Sequence, residues 1–334
     1  MMRRVAQVNG VFGIATVFAL AACVWLTPRG AYAQSDPVDY PYQGVDDWAQ
    51  LPDGRTWGAP AAVEMDPDQS SVWVFERCGA NSCADSDLPA ILKFDSSGTL
   101  VQSFGAGMFI FPHGLHVDHD GNVYVTDGRG EDGRGHQVFK FNPAGELVLT
   151  LGQPGIADEG PNTFNRPSDV AVAPNGDIFV ADGHNPLETN MRIVKFSKDG
   201  AFIKEWGKKG TAPGELNDPH SIAFDSAGRL FVADRGNQRI QIFDQDGGFI
   251  DAWTQFGSPS GIFITPDDTL YVADLGAGIR IGSARDGSLS GFIKAPIPES
   301  GSVRVAESVA VGAQGNVYAG ENAGRKLMRF SIPR

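Results

Sequence analysis

The stretch FPHGLHVDHDGNVYVTD, Phe111–Asp127, reads as an apolar strand, a turn on Asp118–Gly121 and a second strand closing on an acid. Its entrance carries Pro112 and His113, so an imidazole stands where a strand begins. One such imidazole is ordinary strand capping; recurrence makes it a device. The pattern returns as RPSDVAVAPNGDIFVADG from Arg166, DPHSIAFDSAGRLFVADR from Asp218, SPSGIFITPDDTLYVADL from Ser258 and VAESVAVGAQGNVYAGEN from Val305. A looser first copy, APAAVEMDPDQSSVWVFER, starts at Ala59.

Several copies run on through a third strand (HQVFKF, RIVKFS, RIQIFD), a second turn (NPAGE, SKDGA) and a fourth strand (LVLTLG, FIKEWG). A period of about 40 to 50 residues belongs to propeller blades. Four short strands in each of six copies predict an all-β fold, a six-bladed β-propeller over 57–334, with 34–56 as an N-terminal extension. A solenoid is the competing arrangement, and the lack of distinct polar caps disfavours it. Blade six ends in KLMRFSIPR without a visible fourth strand, and Tyr40–Trp57 is the segment that could supply one.

Equivalent positions at the start of the innermost strands form a ring around the channel. The slot after the proline, or after its replacement, holds Ala61, His113, Ser168, His220, Ser260 and Glu307. The ligand-type residues fall on alternate blades, a third of a turn apart, so His113, His220 and Glu307 can converge on the axis. Two imidazoles and a carboxylate with a fourth position open suit a catalytic zinc or another divalent ion. Strand capping alone explains one histidine and leaves the alternation unexplained.

A second ring after the strand-closing acid holds Arg77, Gly128, Gly183, Arg235, Leu275 and Asn322. Arg77 and Arg235 lie three blades apart, across the channel mouth, where guanidinium groups could grip a carboxylate. Pairing with Glu76 and Asp234 is the alternative. The acids Glu76, Asp127, Asp182, Asp234, Asp274 and Glu321 occur in every blade, which suits bonding to turn amides. His136 reads as structural, and His116 and His119 have no counterparts on alternate blades.

The rest of the chain sets the context. Met1–Arg4 carry two arginines, residues 11–26 are apolar, and AYA at Ala31–Ala33 precedes Gln34, the order of a secretory signal over 1–33. The run is short for a membrane span. LAAC, Leu20–Cys23, is a competing lipoprotein box that would anchor the chain through Cys23. Cleavage after Ala33 leaves Cys78 and Cys83 as a pair, which in an exported, periplasmic or extracellular chain reads as a disulfide. It also removes three arginines and no acids, taking the net charge from −13 to −16. That charge excludes nucleic acid and anionic membrane as partners. A monomer is expected.

The blades resemble NHL repeats, and Val63–Phe243 resembles the peptidyl-α-hydroxyglycine α-amidating lyases. The matching pieces include VWVFER through Arg77, FPHGLHVDHDGNVYVTD, HQVFKF, RIVKFSKDG and DPHSIAFDSAGRLFVADRGNQRIQIF. The resemblance implies a zinc-dependent carbon–nitrogen lyase that cleaves a peptidyl-α-hydroxyglycine to an amide and glyoxylate. It puts two zinc histidines on His113 and His220 and the active-site arginines on Arg77 and Arg235. The family's third zinc histidine falls on Glu307. Its catalytic tyrosine falls on His184, at the start of the longer loop HNPLETN. Its structural calcium, held by backbone carbonyls, falls on Val63 and Leu115, with Ser308 in place of the calcium aspartate. Two other readings of the residues stand beside this one: a non-catalytic exported propeller binding a peptide, glycan or protein, and a metal-dependent lactonase-type hydrolase.

Overall fold

A computed structural model describes residues 38–45, 47–184, 190–275, 277–294 and 306–333. The signal segment, Cys23 and most of the HNPLETN loop lie outside the described residues. The rest forms six antiparallel sheets, the blades of a β-propeller. Their innermost strands are Pro60–Met65, Pro112–Val117, Pro167–Val172, Pro219–Phe224, Pro259–Ile264 and Ser308–Val311. In four blades the next strands follow outward in chain order, and blades five and six end on strands from the start of the described chain.

Alternation in the sequence becomes layering in the fold. Second strands such as Val72–Glu76, Ile178–Asp182 and Leu230–Asp234 are buried throughout, while outer strands such as Phe202–Trp206 are exposed or half-buried. Each side chain of a second strand faces a neighbouring blade, so both faces are apolar. Phe75 with Phe109 and Phe179 with Phe224 pack edge to face between blades, at 4.9 and 5.0 Å between ring centres. Burying one such ring is worth roughly 1.5–3 kcal/mol.

The open edge of blade six is covered by the start of the described chain. Gln43–Val45 pairs antiparallel with Lys326–Ser331, joining Gln43 to Ser331 and Val45 to Arg329. Val38–Asp39 adds a short parallel strand to blade five beside Leu289–Lys294. An uncovered edge would leave a row of backbone groups unpaired. Among the described residues no helix is long and apolar enough to cross a membrane.

One local feature positions the site. In five blades the pairing register slips at the first residues of the inner strand, between Pro60 and Ala62, Pro112 and Leu115, Pro167 and Asp169, Pro219 and Ile222, and Pro259 and Gly261. Proline donates no hydrogen bond to the ladder, so the strand can bulge there. The bulge carries the ring-forming slot and turns its side chain towards the axis. The strand-closing acids hold the approach to it: Asp127 accepts from the amides of Ile110 and Phe111, at 2.9 and 2.6 Å. Glu76, Asp182, Asp234 and Asp274 accept likewise from Gly58, Asn165, Asn217 and Ser258. Cys78 and Cys83 form a disulfide directly after Arg77.

Candidate metal centre

His113 and His220 stand at the bulges of blades two and four, 2% and 3% exposed, with ring centres 4.8 Å apart. His113 Nδ1 lies 2.6 Å from the carbonyl oxygen of Ser168, and His220 Nδ1 lies 2.7 Å from that of Ser260. Ser168 and Ser260 are the small residues of the ring, each one blade after the histidine it anchors. A carbonyl accepts only, so each Nδ1 donates to it, the arrangement that in a metal-bound imidazole leaves Nε2 as the ligand atom. Both Nε2 atoms are buried without a hydrogen bond. Glu307 Oε1 lies 3.1 Å from His220 Nε2, which meets the distance but not the alignment of one.

His184 joins them. Its ring centre is 4.3 Å from that of His113 and 5.1 Å from that of His220. Its Nδ1 is 3.3 Å from Asp218 Oδ1, and its backbone amide donates to the Arg166 carbonyl. Burial pushes the His184 imidazole down to about 4, against the pull of Asp218. Burial likewise takes His113 well below its ordinary value, and the neighbouring His184, His220 and Arg77 add to this. A metal ion requires an imidazole nitrogen free of its proton, and the buried Nε2 atoms of His113 and His220, each opposite a carbonyl-anchored Nδ1, fit one.

Two cationic arms border the centre. Arg235 donates from Nε to Asp218 Oδ2 at 2.9 Å and from Nη1 to Ser260 Oγ at 3.2 Å, with Glu307 Oε1 at 3.7 Å. Arg77, 4% exposed, donates from Nε to the Pro112 carbonyl and from Nη1 to Asn81 Oδ1. Burial pushes Arg77 down to about 10, with the charge of Glu307 opposing this. Glu76 and Asp234 are engaged elsewhere, with Arg55 and Arg239 respectively. Burial disfavours a charged Glu307, but contact with His220 and the charges of His220, Arg235 and Arg77 hold it well below the carboxylate range.

The repeat pattern did not mark three further residues. Phe111 has the Arg77 guanidinium 3.7 Å and the Arg129 guanidinium 3.8 Å from its ring centre. Arg129 sits on the extended hairpin of blade two, Val123–Glu131 with Arg134–Phe141, whose GRGEDGRG tip has no counterpart in the other repeats. Asp218 lies in the left-handed region (φ 60°) directly before Pro219, where a non-glycine residue is strained. It ties Arg235 to His184.

Towards the channel interior, a cavity of 170 Å³ is lined by His113, His220 and Glu307, and further by Glu64, His116 and Asp169. Val63, Leu115 and Ser308 also line it, and Ser308 Oγ is buried without a hydrogen bond. His136 Nδ1 accepts from the Arg166 amide at 3.2 Å, whereas His119 is exposed beside Asp120.

The model of the NHL repeat matches residues 164–196 and 216–243. NHL repeat-containing protein 3 of Mus musculus is 34% identical over 186 residues, covering 54% of this chain and 50% of that protein. A probable peptidyl-α-hydroxyglycine α-amidating lyase of Caenorhabditis elegans is 38% identical over 143 residues, covering 42% of this chain and 38% of the relative. The chain carries NHL repeats and resembles the amidating lyases. It spans about half the length of the first of these relatives. A solved gluconolactonase from Xanthomonas campestris shares the fold, with a TM-score of 0.61 at 17% identity over 92% of this chain and 99% of that one.

Proposed function

We propose that this chain is an exported, metal-dependent carbon–nitrogen lyase acting on a carboxylate-bearing carbinolamide of the peptidyl-α-hydroxyglycine type. The observation that carries the reading is the pair His113 and His220, each fixed by a carbonyl through Nδ1 and each presenting a buried Nε2 to the channel. His113 and His220 would hold zinc or a similar divalent ion, with Glu307 and His184 beside them. Such an ion would acidify the substrate hydroxyl and draw it into place.

The chain's own residues supply the rest. Arg77 and Arg235 flank the centre and suit the substrate carboxylate, with Arg129 adding positive charge beside Phe111. A side chain of the centre, Glu307 or His184, accepts the hydroxyl proton. The hydroxyl oxygen then forms the carbonyl of glyoxylate as the C–N bond breaks. The bonding pair goes to the amide nitrogen, which takes up one proton, and the products are an amide and glyoxylate. The buried walls restrict water at this step.

The test is direct: metal-loaded protein is incubated with an N-acyl-α-hydroxyglycine, and glyoxylate and amide are measured against the slow background. Equal release of both supports the reading, and background rates with full metal occupancy overturn it. A second reading, a binding propeller without chemistry, rests on the repeats alone, since a fold does not by itself carry a reaction. Under it the same experiment gives no product.

A further inference from the structure

We infer that the third metal ligand is His184, so that three imidazoles from blades two, three and four hold the ion and Glu307 stands outside the ligand set. This deepens the reading of a metal centre above and rests on it. Among the described residues, one ligand atom from each of His113, His184 and His220 comes together within 4.8 Å, a grouping that does not include Glu307. A tetrahedral zinc–nitrogen set has edges of about 3.4 Å, so the imidazoles need only close in on the ion.

The surroundings of His184 agree. A metal-bound imidazole commonly presents its other nitrogen to a carboxylate that orients it. Asp218 Oδ1 lies 3.3 Å from that nitrogen, Nδ1, within reach but not aligned for a hydrogen bond, and the other oxygen of the carboxylate, Oδ2, is held by two contacts from Arg235, at 2.9 and 2.8 Å. The carboxylate of Glu307 lies towards His220 and Arg235. Charge favours the same assignment: three neutral imidazoles leave the ion its full dipositive charge, whereas a ligating carboxylate would offset part of it. Relative to the arrangement the lyase resemblance implies, blades three and six exchange roles. The blade-three position supplies a ligand, and the blade-six position supplies a carboxylate facing the substrate.

The experiment reads coordination rather than turnover. Zinc K-edge X-ray absorption on the intact wild-type protein counts imidazoles, and competition with a chromophoric chelator measures zinc affinity for His184→Ala and Glu307→Gln. Three imidazoles, at least about 100-fold weaker zinc binding by His184→Ala, and affinity within about 10-fold of wild type for Glu307→Gln are expected; loss of an outer-sphere partner alone costs about 10- to 100-fold. Two imidazoles and a carboxylate, with zinc kept by His184→Ala and lost by Glu307→Gln, would overturn the assignment while leaving the metal-centre reading intact. A wild-type protein that binds no zinc would overturn both.

Discussion

His113 Nδ1 lies 2.6 Å from the carbonyl oxygen of Ser168, the equivalent slot of the next blade. His220 and Ser260 repeat the relationship two blades on. The ring therefore works in pairs, in which a small residue allows its backbone to approach and orient a neighbour's imidazole. Ser168 and Ser260 are each 0% exposed, so a larger residue at either position would displace the histidine. Ser260→Val is expected to weaken metal binding by about 10-fold or more while the propeller stays folded, as read by a metal titration beside a thermal melt.

Arg77 is fixed by Pro112, Asn81 and the ring of Phe111. A lysine in its place loses the fork and the stacking and keeps the charge. Arg77→Lys should raise KM for a carboxylate-bearing substrate by about 10- to 100-fold, the worth of one charged hydrogen-bonding contact. Arg129→Ala, which removes one cation from Phe111, should raise it about fivefold, since such stacking is worth about 1 kcal/mol. Equal effects on an ester of the same substrate would contradict a carboxylate-binding role.

Part of this site is legible in the repeat alone. His113, His220 and Glu307 stand out because a six-membered ring with small residues at alternate slots is visible in the spacing. The strand-closing acids are legible for the same reason. His184 is visible only as a substitution within a resemblance: it follows the second strand of blade three, outside the slot that repeats. Asp218 and Phe111 each precede a proline, and neither has a like residue at that position in the other blades. Arg129 lies on the GRGEDGRG tip of the blade-two hairpin, a sequence the other repeats do not contain. The strand that covers the blade-six edge, Gln43–Val45, falls within Tyr40–Trp57, the segment expected to supply it, but at three residues it is too short for periodicity to give its bounds.

Asp127 accepts two buried amides, those of Ile110 and Phe111, directly before the Pro112–His113 bulge. Asp127→Ala strands both donors, at about 1–3 kcal/mol each. The variant should unfold several degrees earlier and bind metal more weakly, because the segment that carries His113 loses its anchor. Differential scanning calorimetry beside a zinc titration checks both effects; an unchanged melting temperature would remove the anchoring role.

His136 gives the stability a pH dependence of known sign. Its Nδ1 accepts from the Arg166 amide, and burial, with the charge of Arg166 adding, pushes it down to about 4 from an ordinary 6.5. Above pH 6.5 both the folded and the unfolded chain hold it neutral. Between 6.5 and 4 only the unfolded chain takes up the proton, so stability falls with falling pH, by up to about 3 kcal/mol for this group. His136 has φ 55°, a conformation asparagine tolerates. His136→Asn should therefore flatten the slope of denaturant stability across that window, and an unchanged slope would refute the assignment.

The Cys78–Cys83 disulfide closes a short loop whose entropy is worth about 2 kcal/mol, and it directly follows Arg77. Cys78→Ser/Cys83→Ser should lower the melting temperature by about 5 °C and raise KM more than it lowers kcat. A change confined to kcat would point away from Arg77.

The central claim is that a metal ion between His113 and His220 is required for a lyase reaction, and metal content measured against turnover tests it most directly. Purified protein, stripped with chelator and refilled in steps with zinc, is assayed for metal by mass spectrometry and for glyoxylate release from an N-acyl-α-hydroxyglycine at each step. The account predicts turnover that rises in proportion to occupancy and saturates at one ion per chain. Undiminished turnover by metal-free protein, or no turnover at full occupancy, would contradict it.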